Sequence, residues 1–139
     1  MEQVATILML SSAAIILALG VAHLAITFFG SKLLPRDATL QDRMKLVSPV
    51  ITSEISMWQA WMGFNASHSF GAMLFGLIYG YLGLWHPDFL FGSGFLLCVG
   101  LSLLTGYTLL GWNYWFSVPF RSIVVALGLY CGALVVALI

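Results

Sequence analysis

Four long runs of apolar residues dominate the sequence, at residues 4–29, 55–85, 90–112 and 118–139. Each run reaches the ~20 residues that an α-helix needs to cross the hydrocarbon of a bilayer. Inside a bilayer every backbone N–H and C=O must bond within the protein, so only helices and closed barrels can span it. Unbroken runs of this length favour helices over barrel strands. The sequence therefore predicts an all-α integral membrane four-helix bundle, with residues 1–139 forming a single membrane domain.

The charged residues are too few to cover a water-soluble globule. Five basic and five acidic residues make up 7% of the 139-residue chain, whereas soluble domains carry about a quarter. The outer surface is therefore expected to face membrane lipid. The formal net charge is zero, which excludes a basic surface for nucleic acid. Cys98 and Cys131 have no ligand spacing, so no metal site is predicted.

One long polar stretch, residues 30–53, separates the first two runs. Thr39–Asp42 fits a capping box, which predicts a short amphipathic helix at the cytoplasmic membrane surface. Three apolar residues share one face of that helix: Leu40, Met44 and Val47. Ser48 and Pro49 fit an N-cap and a first-turn proline at the start of the second span.

All five basic residues fall on one side of the predicted bundle. They are Lys32, Arg36, Arg43 and Lys45 in the first loop and Arg121 at the start of the fourth span. Cytoplasmic loops carry an excess of lysine and arginine, so this side is expected to be cytoplasmic. Both chain termini should then lie on the opposite side of the membrane.

The second run carries polar side chains at helical spacing, on what we call the polar stripe. Its members are Glu54, Trp58, Trp61, Asn65 and His68, and it continues through Ala72, Phe75 and Tyr79. A stripe of small residues lies opposite: Gly63, Ser67 and Gly71. Gly76-xxx-Gly80 and Gly128-xxx-Gly132 add further small-residue pairs. Small residues let helix backbones approach closely, and polar side chains in hydrocarbon turn towards protein. The second span is therefore expected to be covered on both sides.

The candidate cofactor-binding residues are His68, Asn65, Trp61 and Trp58, together with His23 of the first span. His68 could hold a ligand, a cofactor or a proton. It could equally form an ordinary hydrogen bond between helices, for which Ser102 and Thr105 are candidate partners. A haem held between His23 and His68 is disfavoured, because helix rise places the two residues roughly 10 Å apart in depth. No catalytic residue is predicted, and the cofactor is left open.

Three segments together resemble a known family. They are Trp61–Gly71, with the sequence WMGFNASHSFG, Ser48–Ile51 upstream and Tyr114–Pro119 downstream. They resemble an uncharacterised family of small bacterial membrane proteins with four spans, and the resemblance covers the whole chain. It implies a bacterial inner membrane but no activity. In such a membrane the side of the termini expected from the basic residues is the periplasm.

Three functions fit these patterns. Small-residue faces, aromatic belts and the absence of charged catalytic groups favour a non-catalytic subunit or assembly partner of a larger membrane complex. The alternative is a binder of a hydrophobic ligand or pigment (quinone, lipid, haem, carotenoid or chlorophyll) around His68. A membrane enzyme or transporter using His68 and Glu54 is the third. The expected partners are membrane lipid and another membrane protein or a second copy of the chain, with no nucleic acid.

Overall fold

The computed structural model describes residues 2–139, and this part of the chain is 83% helical with no strand. Its six helices are α1 (Glu2–Phe29), α2 (Ala38–Leu46), α3 (Met57–Trp85), α4 (Pro87–Gly92), α5 (Gly94–Tyr114) and α6 (Ser117–Leu138). The predicted all-α class is confirmed. Three helices, α1, α5 and α6, are long and apolar enough to cross a membrane. Helix α3 has 29 residues but is less apolar because of its glycines and polar side chains, so the four-span bundle stays a prediction.

A capping box sets the start of α3. The backbone N–H of Ser56 donates to Gln59 Oε1 at 2.8 Å, and the N–H of Gln59 donates to Ser56 Oγ at 3.2 Å. Each bond satisfies a backbone donor that the first helical turn would leave unpaired. The predicted N-cap at Ser48 and the position of Glu54 on the helix are therefore wrong, since both residues precede Met57.

The predicted third run is divided between two helices. Pro87 opens the short helix α4, where its missing N–H leaves no bond unmade. Ser93 ends α4 and begins α5, and its side chain accepts a hydrogen bond from the N–H of Leu96 at 3.4 Å. Serine interrupts the helix here because its hydroxyl can replace a backbone acceptor.

Helix α2 confirms the predicted short helix between the first two runs, with a different cap. Asp37 Oδ1 accepts hydrogen bonds from the backbone N–H of Thr39 at 2.9 Å and from its hydroxyl at 2.7 Å. These bonds hold the pKa of Asp37 below its usual value. The predicted capping box beginning at Thr39 is wrong, because Thr39 already lies inside the helix. No residue of α2 is buried; Leu40 and Leu46 are exposed and Met44 is half-buried.

The described residues form two compact units, residues 2–19 with 72–139 and residues 20–71. The first unit contains the hydrophobic core, whose largest fully buried side chains are Met9, Ile16, Leu90, Leu104 and Tyr130. Within this unit α1 and α3 are antiparallel, since Gly76 faces Leu17 whereas Gly83, further along, faces Leu10. The close approach predicted at Gly76 is confirmed, whereas nothing lies within 4 Å of a Cβ placed on Gly128.

Polar groups in this core bond to helix carbonyls. The hydroxyl of Tyr79 donates to the carbonyl of Leu96 at 2.5 Å, and that of Tyr130 donates to the carbonyl of Leu97 at 3.0 Å. Ser12 donates in the same way to the carbonyl of Ala126 at 2.8 Å. Throughout residues 2–139 every buried side-chain nitrogen and oxygen has a hydrogen-bond partner. The hydroxyl groups of Ser12, Tyr79 and Tyr130 therefore link helices of the first unit.

Candidate functional site

The second unit brings together three of the predicted site residues, which we call the histidine cluster: His23 of α1 with Asn65 and His68 of α3. Asn65 and His68 lie three residues apart and so share one face of α3. His23 lies six residues before the end of α1. The prediction that Asn65 and His68 face protein is confirmed, because Asn65 is 9% exposed and His68 contacts the ring of His23.

Two hydrogen bonds fix the orientation of the Asn65 amide. Its Nδ2 donates to the carbonyl oxygen of Trp61, one turn earlier, at 2.8 Å. Its Oδ1 lies 3.1 Å from Nε2 of His23. The carbonyl of Trp61 can only accept, so the NH₂ group must face it and Oδ1 must face the imidazole. Rotating the amide by half a turn would place two acceptors against each other.

The same geometry selects the tautomer of His23. An amide oxygen only accepts hydrogen bonds, so the proton of the neutral ring lies on Nε2 and is donated to Asn65. Nδ1 then carries the lone pair and acts as an acceptor. A histidine whose N–H is held in this way presents its other nitrogen in a fixed orientation.

His68 meets His23 edge to face, with ring centroids 5.5 Å apart and an interplanar angle of 89°. The predicted depth difference of roughly 10 Å is therefore wrong. His68 lies eleven residues from the start of α3, against six from the end of α1 for His23, so α3 extends past α1 and the two rings meet. Rings in direct contact leave no gap for a porphyrin between them.

The structure gives His68 a partner on α1, whereas the sequence suggested Ser102 or Thr105. Both hydroxyl residues are exposed in the first unit. Trp61 takes part through its carbonyl oxygen, and its side chain is 40% exposed. Trp58 is half-buried one turn earlier on the same stripe.

Two hydroxyl residues that support the cluster were missed from the sequence. Thr27 is buried and donates to the carbonyl of His23 at 2.7 Å. Ser69 is fully buried and donates to the carbonyl of Asn65 at 3.0 Å. Each lies four residues after the residue it supports, the spacing at which serine and threonine commonly bond back along a helix. That spacing is readable in the sequence.

The small-residue stripe of α3 is uncovered at Gly63 and Ser67, whereas Gly71 is half-buried. A Cβ placed on Gly63 would meet nothing within 4 Å, and Ser67 is exposed with its hydroxyl bonded to the carbonyl of Phe64. The expectation that the chain covers this helix on both sides is therefore wrong at Gly63 and Ser67. The inward side carries the cluster, and the outward side is open.

The cluster can donate and accept hydrogen bonds between two helices that are mainly apolar. Both imidazoles are half-buried, so each retains accessible surface. Within residues 2–139 no three or more histidine, cysteine or acidic side chains come together in a way that could hold a metal ion. No family model matches the chain, and comparison with curated proteins and with solved structures also finds no match.

Proposed function

We propose that this chain is a membrane protein that binds an amphipathic molecule, with an apolar body and a small polar head, at the histidine cluster. The observation that carries the proposal is a pair of touching, half-buried imidazoles on two mainly apolar helices. Both imidazoles retain accessible surface. A polar head group can form a hydrogen bond there in addition to the contacts that the imidazoles make within the protein.

The imidazoles of the histidine cluster bind through hydrogen bonds, which favours some of the predicted ligand classes over others. A pure hydrocarbon carotenoid has no group that could bond to an imidazole. A haem between the two rings would require them to separate from their 5.5 Å contact. A quinone-type ring or a lipid head group needs only a hydrogen bond and an apolar path for its tail, so we favour these classes.

Histidine variants test this function, with a matched control in the same chain. His86 is exposed next to α4, where its Nε2 lies 3.3 Å from the hydroxyl of Tyr81. The full chain, purified in mild detergent, is examined by native mass spectrometry, with an absorption spectrum and organic extraction of bound molecules. We expect wild type and His86→Leu to carry the ligand and His68→Leu to lose it. Equal ligand content in all three proteins would contradict the proposal.

We further propose a four-span topology in a bacterial inner membrane, with both termini periplasmic. The length of α3, 29 residues, supports a fourth span, and all five basic residues lie on one predicted side. The family resemblance supports the bacterial location. A reporter active only in the periplasm, fused after Ile139, should be active. A silent reporter there, with activity from a cytoplasmic one, would overturn this orientation.

A second candidate function is that of a subunit or assembly partner in a larger membrane complex. The open side of α3 favours it, because Gly63 has no neighbour within 4 Å and would admit another helix. Gly63→Leu would block such an approach without touching the histidine cluster. Co-purification of a stoichiometric partner with wild type, lost in this variant, would support the subunit role.

A further inference from the structure

We infer that the head group bound at the histidine cluster is a hydrogen-bond donor, the hydroxyl of an alkylated phenol or quinol, received by Nδ1 of His23. The inference rests on the proposed ligand-binding function and adds that the head group donates a hydrogen bond. A quinone carbonyl can only accept hydrogen bonds. A quinone would therefore need a protonated Nδ1, whereas a phenol or quinol needs an Nδ1 with a free lone pair.

The acceptor character of Nδ1 follows from hydrogen bonds that link three residues: Trp61, Asn65 and His23. The Trp61 carbonyl orients the Asn65 amide through a bond of 2.8 Å, and the amide oxygen takes the Nε2 proton of His23. The remaining ring nitrogen, Nδ1, therefore presents a lone pair. A ligand that approaches it must bring a proton.

The hydroxyls near the cluster are already engaged. Thr27 donates its proton to the His23 carbonyl, and Ser69 donates to the Asn65 carbonyl. Neither proton is available to the imidazole of His23, whose side chain keeps accessible surface. A donor for Nδ1 can therefore come from a bound molecule.

Tryptophans on the same face of α3 favour an aromatic head. Trp61 lies one turn before Asn65 and is 40% exposed, and Trp58 lies about one turn further back. Indole faces pack well against flat rings. An aromatic ring bearing a hydroxyl matches both the tryptophans and the lone pair of His23.

Two probes test the inference, one with a hydroxyl proton and one in which a methyl group replaces that proton. The full chain in nanodiscs is titrated with 4-dodecylphenol and with its methyl ether, and binding is followed by tryptophan fluorescence and calorimetry. The ether has the same body but no donor, so we expect it to bind about tenfold more weakly, the effect of one lost hydrogen bond. Decylubiquinol and decylubiquinone form a second pair, in which the quinol carries hydroxyl donors and the quinone only acceptors, so the quinol should bind more tightly.

A matched pair of asparagine variants locates the effect. Asn113 makes the same bond as Asn65, from Nδ2 to the carbonyl four residues earlier at 2.8 Å, but lies exposed near the end of α5. In Asn65→Leu the His23 tautomer is released, so the preference for phenol over ether should fall. Asn113→Leu should keep the preference. Nitrogen-15 spectra of histidine-labelled wild type report the tautomer directly, and a protonated Nδ1 on His23 would overturn the inference.

The outcomes separate the inference from the function on which it rests. If phenol and ether bind wild type equally and His68→Leu abolishes both, the donor inference is wrong and the proposed binding function stands. If neither probe binds wild type and no molecule co-purifies with it, both are wrong. A phenol preference that Asn65→Leu leaves unchanged would also overturn the inference.

Discussion

Replacing Gly76 with alanine should destabilise the protein, because α1 lies directly against this position. A Cβ there would be 2.5 Å from Leu17 Cβ, 2.8 Å from the carbonyl oxygen of Ala13 and 2.9 Å from Leu17 Cα. Two of these atoms belong to the backbone and the third is a Cβ, whose position the backbone fixes, so no rotamer change can move any of them. Relief therefore requires the two helices to separate locally.

The size of the effect follows from these distances. Reaching 3.4 Å, the lower edge of ordinary contact, requires a shift of roughly 0.6–0.9 Å at Ala13 and Leu17. Overpacking of this kind typically costs about 1–3 kcal/mol. Alanine recovers up to about 1 kcal/mol through its better helix propensity. With the full recovery we expect a net loss of up to about 2 kcal/mol for Gly76→Ala, and a stability about 1–3 kcal/mol below that of a glycine-to-alanine change without the clash.

Gly63→Ala is the matched control, since it lies in the same helix with nothing within 4 Å. Alanine at this position gains helix propensity over glycine without a clash, so Gly63→Ala should be neutral or slightly stabilising. Unfolding of both variants in mixed micelles, titrated with a denaturing detergent and followed by circular dichroism, measures the difference. Equal stability of Gly76→Ala and Gly63→Ala would refute the close contact between α1 and α3.

Three further outcomes are expected. Ser56→Ala should fray the start of α3 and cost about 1 kcal/mol, seen as faster amide exchange in its first turn. The lowered pKa of Asp37 means that its contribution to α2 is present above the unfolded pKa and is lost as pH falls through the folded value. The protection factor of the Thr39 amide, the ratio of its intrinsic to its observed exchange rate, should therefore fall in acid, and Asp37→Asn should remove that dependence; a wild-type protection factor independent of pH would contradict the cap. Tyr130→Phe removes the bond to the Leu97 carbonyl and should cost about 1 kcal/mol in the same micelle titration; no change would show the bond to be unimportant.

Periodicity predicted the helices and one face of the site well, because both depend on local spacing. Asn65 and His68 share an α3 face in the sequence, and the structure turns that face towards α1. Ser56 and Gln59 also carry a readable capping signature, which the competing signal of Ser48 and Pro49 obscured. The spacing of Ser56 and Gln59 therefore predicts the start of α3 more accurately than Ser48 and Pro49 do.

The contact of His23 with His68 was not predictable in the same way. It depends on how far α3 extends past the end of α1, and that offset is set by the loop between them. The loop closes through a bond of 2.8 Å from the Met57 N–H to the Val47 carbonyl, a pairing across ten residues that has no periodic signature. The expected helix start at residue 55 differs by two residues from the observed start at Met57, which accounts for only about 3 Å of the expected difference in depth. The offset between the two helix ends accounts for the rest.

The bond between His23 and Asn65 joins residues 42 positions apart, which has a consequence for synthesis of the chain. At ribosomal rates of about 5–20 residues per second, His23 is made roughly 2–8 s before its amide partner. Helix α1 must therefore be apolar enough to hold an unpaired imidazole in the membrane alone, and it is a candidate span in its own right. Under the proposed topology, α3 leaves the ribosome after α1, so the imidazole of His23 is present before Asn65 is made. Under that topology the lower hydrophobicity of α3 would be offset, because the imidazole of His23 would give Asn65 a polar partner as α3 enters the membrane.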